Sequence, residues 1–122
     1  MLADSVKARV VELILRGDVG DALDELSRGY AIKSPKIRVG TVKGHRKAWA
    51  VYHQRDKTIY GSSREVLLNP FIVLHEYYHY LQSERYGKKG NEKYANKFAQ
   101  DFFSVYSNYS TVKKARLSLN KH

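Results

Sequence analysis

Two histidines four residues apart, with a glutamate directly after the first, are the residues of this chain best spaced for chemistry: His75-Glu76-Tyr77-Tyr78-His79. On a helix, side chains four apart share one face. The two imidazoles can therefore close on a single divalent metal ion. Glu76 falls about 100° further round the helix, beside such an ion rather than on it, where a carboxylate can accept a proton from water. On the same wheel His79 lies at about 40° and Gln82 at about −20° from His75. The other residues from 71 to 81 are Phe71, Ile72, Val73, Leu74, Tyr77, Tyr78, Tyr80 and Leu81. A helix apolar around most of its girth is a buried helix. Imidazoles and a carboxylate on its one polar arc need a partner, and a metal ion supplies one.

A site of this kind needs a third protein ligand and one open position. Beyond His79 the only histidine is His122, and the acidic candidates are Glu84, Glu92 and Asp101. Glu84 points nearly opposite the histidine arc. The following helix carries an apolar stripe of Ala95, Phe98, Ala99, Phe102 and Tyr106. Glu92 lies about 60° from the middle of that stripe and Asp101 about 120° from it. A carboxylate at the edge of a core calls for a partner, so Glu92 is the preferred ligand and Asp101 its competitor. Asn96, one turn after Glu92, is placed to hydrogen-bond the outer nitrogen of a ligand histidine and fix its ring.

The elements that position these residues can be read in outline. Val6, Val10, Val11, Leu13 and Ile14 have helical spacing after a cap at Asp4 or Ser5, and Ala22, Leu23 and Leu26 continue the pattern beyond Gly17-Asp18. Residues 36–42 alternate apolar and polar, Ala48 to His53 is aromatic and branched, and Thr58-Ile59-Tyr60 follows a turn at 54–57. These predict a small antiparallel three-stranded sheet with a hairpin. Asn69 caps the His75 helix with Pro70 in its first turn, and Gly87-Lys88-Lys89-Gly90 ends it. A last helix covers about 91–107. The fold class is thus α+β in one domain, with residues 108–122 a basic tail.

The run HEYYH followed by Asn91-Glu92-Lys93-Tyr94-Ala95-Asn96 resembles the gluzincin metallopeptidases, the thermolysin-like group with two histidines and one glutamate on zinc. That family carries Glu-x-x-x-Asp on its glutamate helix, and Asn96 stands where the Asp would be. The run from Glu92 to Ala99 is also similar to the ImmA/IrrE group of small gluzincins, and size and element order resemble the minigluzincins. Twelve residues separate His79 from Glu92, fewer than in thermolysin. The thermolysin C-terminal subdomain, which supplies a transition-state histidine, has no counterpart. The resemblance implies a minimal zincin scaffold and a zinc endopeptidase with His75, His79 and Glu92 as ligands and Glu76 as general base. It also makes Trp49-Ala50-Val51 the strand that rims the cleft and pairs with a peptide, the alternative being a plain hairpin with Trp49 in the core. A second oxyanion donor is left open among Tyr106, Tyr109 and His53. By likeness to self-blocked zymogens, Lys113 to His122 would occupy the chain's own cleft or a neighbour's in a homodimer.

Composition bounds the rest. The 122 residues contain no cysteine, which excludes disulfides and thiolate ligands and fits a cytoplasmic protein. No apolar run is long enough to span a membrane, and residues 1–15 lack the basic flank and cleavage site of a secretory signal. Lys and Arg number 22 against 12 Asp and Glu, a net charge of +10. That balance favours acidic partners or non-specific nucleic acid. Two alternatives follow: a basic nucleic-acid-associated protein of zincin-like shape, and a peptidase dedicated to one regulatory protein.

Overall fold

The computed structural model describes the backbone of residues 2–119 and the side chains of residues 2–110. Helix α1, Asp4–Leu15, and helix α2, Val19–Gly29, are two separate helices. Gly17, with φ of 89°, takes the left-handed turn between them, and Asp18 N–H reaches back to the Leu13 carbonyl. Contrary to expectation, neither Asp4 nor Ser5 caps α1. The cap position is Ala3, and Asp4 sits inside the first turn, where its charge favours the helix dipole.

Strands β1 (Lys36–Val39), β2 (Ala50–His53) and β3 (Thr58–Gly61) form one sheet in the order β1-β3-β2. The sheet is mixed, which corrects the predicted antiparallel arrangement: β1 runs parallel to β3, and only β2 and β3 form an antiparallel hairpin. Residues 40–49 carry the chain from the far side of β3 to the near side, so β1 and β2 never become neighbours. Period-2 alternation fixes which face of a strand is buried, not which strand lies beside it.

Helix α3, Pro70–Tyr86, begins as the sequence predicts. Asn69 accepts hydrogen bonds from the N–H groups of Phe71 (3.0 Å) and Ile72 (3.3 Å), and Gly87 ends the helix at φ of 72°. Helix α4 spans Glu92–Leu119 and so extends well beyond the predicted end near residue 107. The side chains of Lys113 to His122, to which the cleft-blocking expectation refers, lie outside the described residues. Among the described residues no helix is long and apolar enough to cross a membrane.

The core explains why α3 is held rigidly. Val73, Leu74, Tyr77, Tyr80 and Leu81 are buried against Val10, Val11 and Ile14 of α1, Leu23 and Leu26 of α2, and Ala99 and Phe102 of α4. Tyr77 and Ser27 share a buried hydroxyl–hydroxyl hydrogen bond of 3.1 Å, and the Tyr80 hydroxyl donates to the Lys33 carbonyl. Tyr52 of β2 packs edge-on against Tyr80, with centroids 5.6 Å apart. The sheet is thereby seated on α3 beside the histidines.

Candidate metal centre

Helix α3 carries His75, Glu76 and His79 to the groove between β2 and α4. The His79 side chain is 5% exposed, that of His75 14% and that of Glu76 12%, so the polar arc is enclosed as the helical wheel predicts. The first turn of α4 brings Glu92 against both rings: its Oε2 lies 2.5 Å from His75 Nε2 and its Oε1 3.2 Å from His79 Nε2. One ligand atom from each of His75, His79 and Glu92 lies within 4.8 Å of the other two. Asp101, the competitor, is instead committed to Lys7 on α1 at 2.6 Å, and Glu84 pairs with Lys57 at 2.9 Å.

The hydrogen bonds behind the rings decide what the inner nitrogens can do. His79 Nδ1 lies 2.6 Å from the carbonyl oxygen of Lys89. A carbonyl only accepts, so Nδ1 holds the proton and Nε2 of the neutral ring holds a lone pair. His75 Nδ1 likewise donates to Asn96 Oδ1 at 2.8 Å, the ring-fixing contact expected of Asn96. The two Nε2 atoms then face each other at 3.3 Å with a carboxylate alongside. With both rings neutral, three acceptors converge here, Glu92 on the solvent side, and they repel one another unless a proton or a metal ion lies between them. The donor set, two imidazole nitrogens and one carboxylate, fits a divalent metal ion with a position left open.

Glu76 points elsewhere. Its Oε1 accepts the backbone N–H of Tyr52 at 2.9 Å, and its Oε2 stands 3.8 Å from His75 Nε2. The carboxylate thus sits next to the three converging ligands, anchored at one oxygen to β2. Burial pushes its pKa above the usual carboxylate range, against the opposing pull of His75, His79 and the Tyr52 N–H.

No protein-family model, curated protein or solved structure matches the chain. What the site can do is read from its own geometry.

Two cavities flank Glu76. One, of about 350 Å³, is lined by Trp49, Phe71, Ile72, His75 and Lys47. The other, of about 360 Å³, is lined by His45, Val51, His79, Lys89 and Glu92. Ala50 and Glu76 line both. Ala50 and Val51 of β2 thus border these cavities, and Trp49, just before the strand, is 70% exposed beside the first of them and not in the core. The candidates for a second oxyanion donor do not join the group. His53 bonds Asp56 at 3.0 Å near the hairpin turn, Tyr106 packs against the core, and Tyr109 is exposed on α4.

Sequence reasoning missed two backbone groups, the Lys89 carbonyl and the Tyr52 N–H. The first had a faint signal in the Gly87–Gly90 loop. Gly90 has φ of 76°, and a Cβ there would lie 2.9 Å from Tyr78 Cε1, so the close approach that aims Lys89 at His79 requires glycine.

Removing the ring-fixing amide gives a first test. Asn96→Ala is expected to weaken metal binding by about 10–100-fold while leaving the melting temperature of the metal-free chain nearly unchanged, because Asn96 is exposed. Competition with a chromogenic chelator measures the affinity, and wild-type affinity in the variant would remove Asn96 from the site.

Proposed function

We propose that this chain is a zinc-dependent endopeptidase on a zincin-like scaffold, with His75, His79 and Glu92 as zinc ligands and Glu76 as general base. The observation that carries the reading is the convergence of two imidazole nitrogens and a carboxylate, within 4.8 Å of one another, beside the buried carboxylate of Glu76. An N₂O donor set with an open position suits zinc in hydrolytic sites. Zinc bound there supplies a Lewis acid for a carbonyl oxygen and a water of lowered pKa.

The residues of the chain divide the remaining work. Glu76 takes the proton of the attacking water as the C–O bond forms, then delivers a proton to the leaving amine nitrogen as the C–N bond breaks. Its bond to Tyr52 N–H holds one oxygen still and leaves the other facing the ligands. Strand β2 is the edge of the sheet. The Trp49 carbonyl accepts Ser62 N–H at 2.8 Å, so by the two-residue alternation of an antiparallel ladder residues 49, 51 and 53 face β3, and 50 and 52 face outward. Tyr52 N–H is taken by Glu76. Ala50 therefore offers its N–H and C=O to an extended peptide, which would lie across Glu76 by strand addition.

The decisive experiment is metal analysis joined to cleavage. Purified full-length chain should carry about one zinc per molecule and cut an unfolded protein substrate. Chelation should abolish cleavage and added zinc restore it. Zinc-free native protein, or cleavage indifferent to chelators, overturns the reading.

The edge has its own test. A proline is tolerated on an edge strand where its missing N–H faced solvent. Ala50→Pro should retain zinc and fold but lower kcat/KM by about 3–10-fold through one lost main-chain hydrogen bond. Unchanged kcat/KM would place the peptide elsewhere.

A further inference from the structure

We infer that the peptide segment this cleft takes is acidic around an apolar anchor, a substrate class set by the cations on the cleft's two rims. The inference rests on the peptidase reading above and adds which sequences the site accepts.

The first rim is the crossover segment 40–49, which borders both cavities through Lys47 on one side and His45 on the other. It carries Lys43, Arg46 and Lys47, all exposed. It lies within a stretch, residues 26–55, that contains no aspartate or glutamate. The second rim is the 87–91 loop, which contributes Lys88 and Lys89. Among the described residues, none of these five cations is paired with a carboxylate. Lys89 is drawn inward, its Nζ 5.8 Å above the Tyr52 ring on β2. The two nearby acids also border the cavities but are engaged elsewhere, Glu92 against both histidine rings and Glu76 by the Tyr52 N–H, and neither pairs with a cation of the rims. A peptide on the edge of β2 thus runs between two unneutralised basic banks.

The anchor is set by the cavity beside Trp49. Trp49, Phe71 and Ile72 offer it apolar walls, and Trp49 is left 70% exposed by the described residues. A leucine- or phenylalanine-sized side chain matches that surface. Aspartates and glutamates within about three residues of it, at roughly 3.3 Å per residue, reach the lysines of either bank. Each exposed pair contributes little alone, but several act together on one strand and repel a basic one.

Trp49 is the only tryptophan, so its fluorescence reports filling of the apolar cavity directly. The test uses the zinc-loaded full chain carrying Glu76→Gln, with eight-residue peptides having leucine at the centre and flanks of Asp, Ser or Lys, plus an Asp-flanked peptide with alanine at the centre. The Asp-flanked leucine peptide should shift Trp49 emission and bind about tenfold more tightly than the Lys-flanked one, a gap that closes in about 0.5 M salt. The alanine-centred peptide should bind more weakly and leave Trp49 unmoved. Lys47→Glu combined with Lys89→Glu should erase or invert the flank preference. Equal affinity for Asp and Lys flanks overturns the inference. So does an oligothymidylate that displaces the peptide at lower concentration than the Asp-flanked peptide binds, which would assign the banks to nucleic acid. Initial cleavage rates of the same peptides by the unsubstituted chain separate the two levels. Cleavage without flank preference sinks the acidic class alone. Flank-selective binding with no cleavage by the zinc-loaded wild type sinks the peptidase reading and leaves the recognition standing.

Discussion

Replacing Glu76 with glutamine is expected to leave zinc in place and reduce peptide hydrolysis by about 10²–10⁴-fold, the usual contribution of a positioned general base. Of the two carboxylates at the site, Glu76 is the buried one and is not within bonding reach of both rings; its nearer oxygen stands 3.8 Å from His75 Nε2, against 2.5 Å for Glu92. Losing its charge should therefore cost proton transfer and not metal affinity. Glutamine is the informative substitution because its amide oxygen can still accept the Tyr52 N–H, the bond that ties β2 to α3. Alanine removes that acceptor and leaves a part-buried N–H unpaired, at a cost of about 1–3 kcal/mol. The two variants should accordingly be equally inactive, while only Glu76→Ala melts measurably lower. Zinc content, kcat and melting temperature on the same three preparations check this. Retention of wild-type kcat in Glu76→Gln would remove the general base from the mechanism.

The arrangement of these side chains was half legible in the sequence. Side-chain type and helical spacing placed His75, Glu76 and His79 on one arc, because the period of a helix is local information. The cap at Asn69 and the stop at Gly87 were readable for the same reason. The choice of Glu92 over Asp101 needed only the phase of the α4 stripe. What could not be read is carried by groups without a letter of their own. Every residue has a carbonyl, so nothing in Lys89 marks it as the acceptor for His79. Nothing in Tyr52 marks its N–H as the donor to Glu76. The order of the strands escaped as well, since alternation in residues 36–39 labels faces and is silent on neighbours. Helix α4 was cut short because its apolar stripe fades after Tyr106, whereas Lys113, Lys114, Ala115, Arg116 and Leu117 are good helix formers that sustain a helix by local propensity.

His75→Ala should abolish tight zinc binding, with a loss on the order of 10²–10³-fold or more for one of three protein ligands. The consequence reaches past the site because of where the ligands stand. His75 and His79 belong to α3 and Glu92 to the first turn of α4, so an ion between them would join two helices otherwise held by apolar packing and the His75–Asn96 hydrogen bond. On the proposed reading, zinc would bind the folded chain and find no such convergence in the unfolded one. At a thousand times its dissociation constant it therefore adds about 4 kcal/mol of stability. For a domain of this size that corresponds to a rise in melting temperature of roughly 10–20 °C. His75→Ala should lose this rise, yet melt close to the wild type when both are stripped of metal. The ring lies outside the apolar core cluster, the Asn96 it bonds is exposed to water, and its removal relieves the approach of two nitrogens at 3.3 Å. Calorimetry of both chains with and without zinc gives the four melting temperatures needed. A zinc-induced rise that survives His75→Ala would place the ion somewhere other than this triad. A metal-free variant that is already unfolded would make the ring a packing residue rather than a ligand. Glu92→Gln then serves as the control: its side chain is 75% exposed, so its loss removes a ligand while touching almost none of the packing.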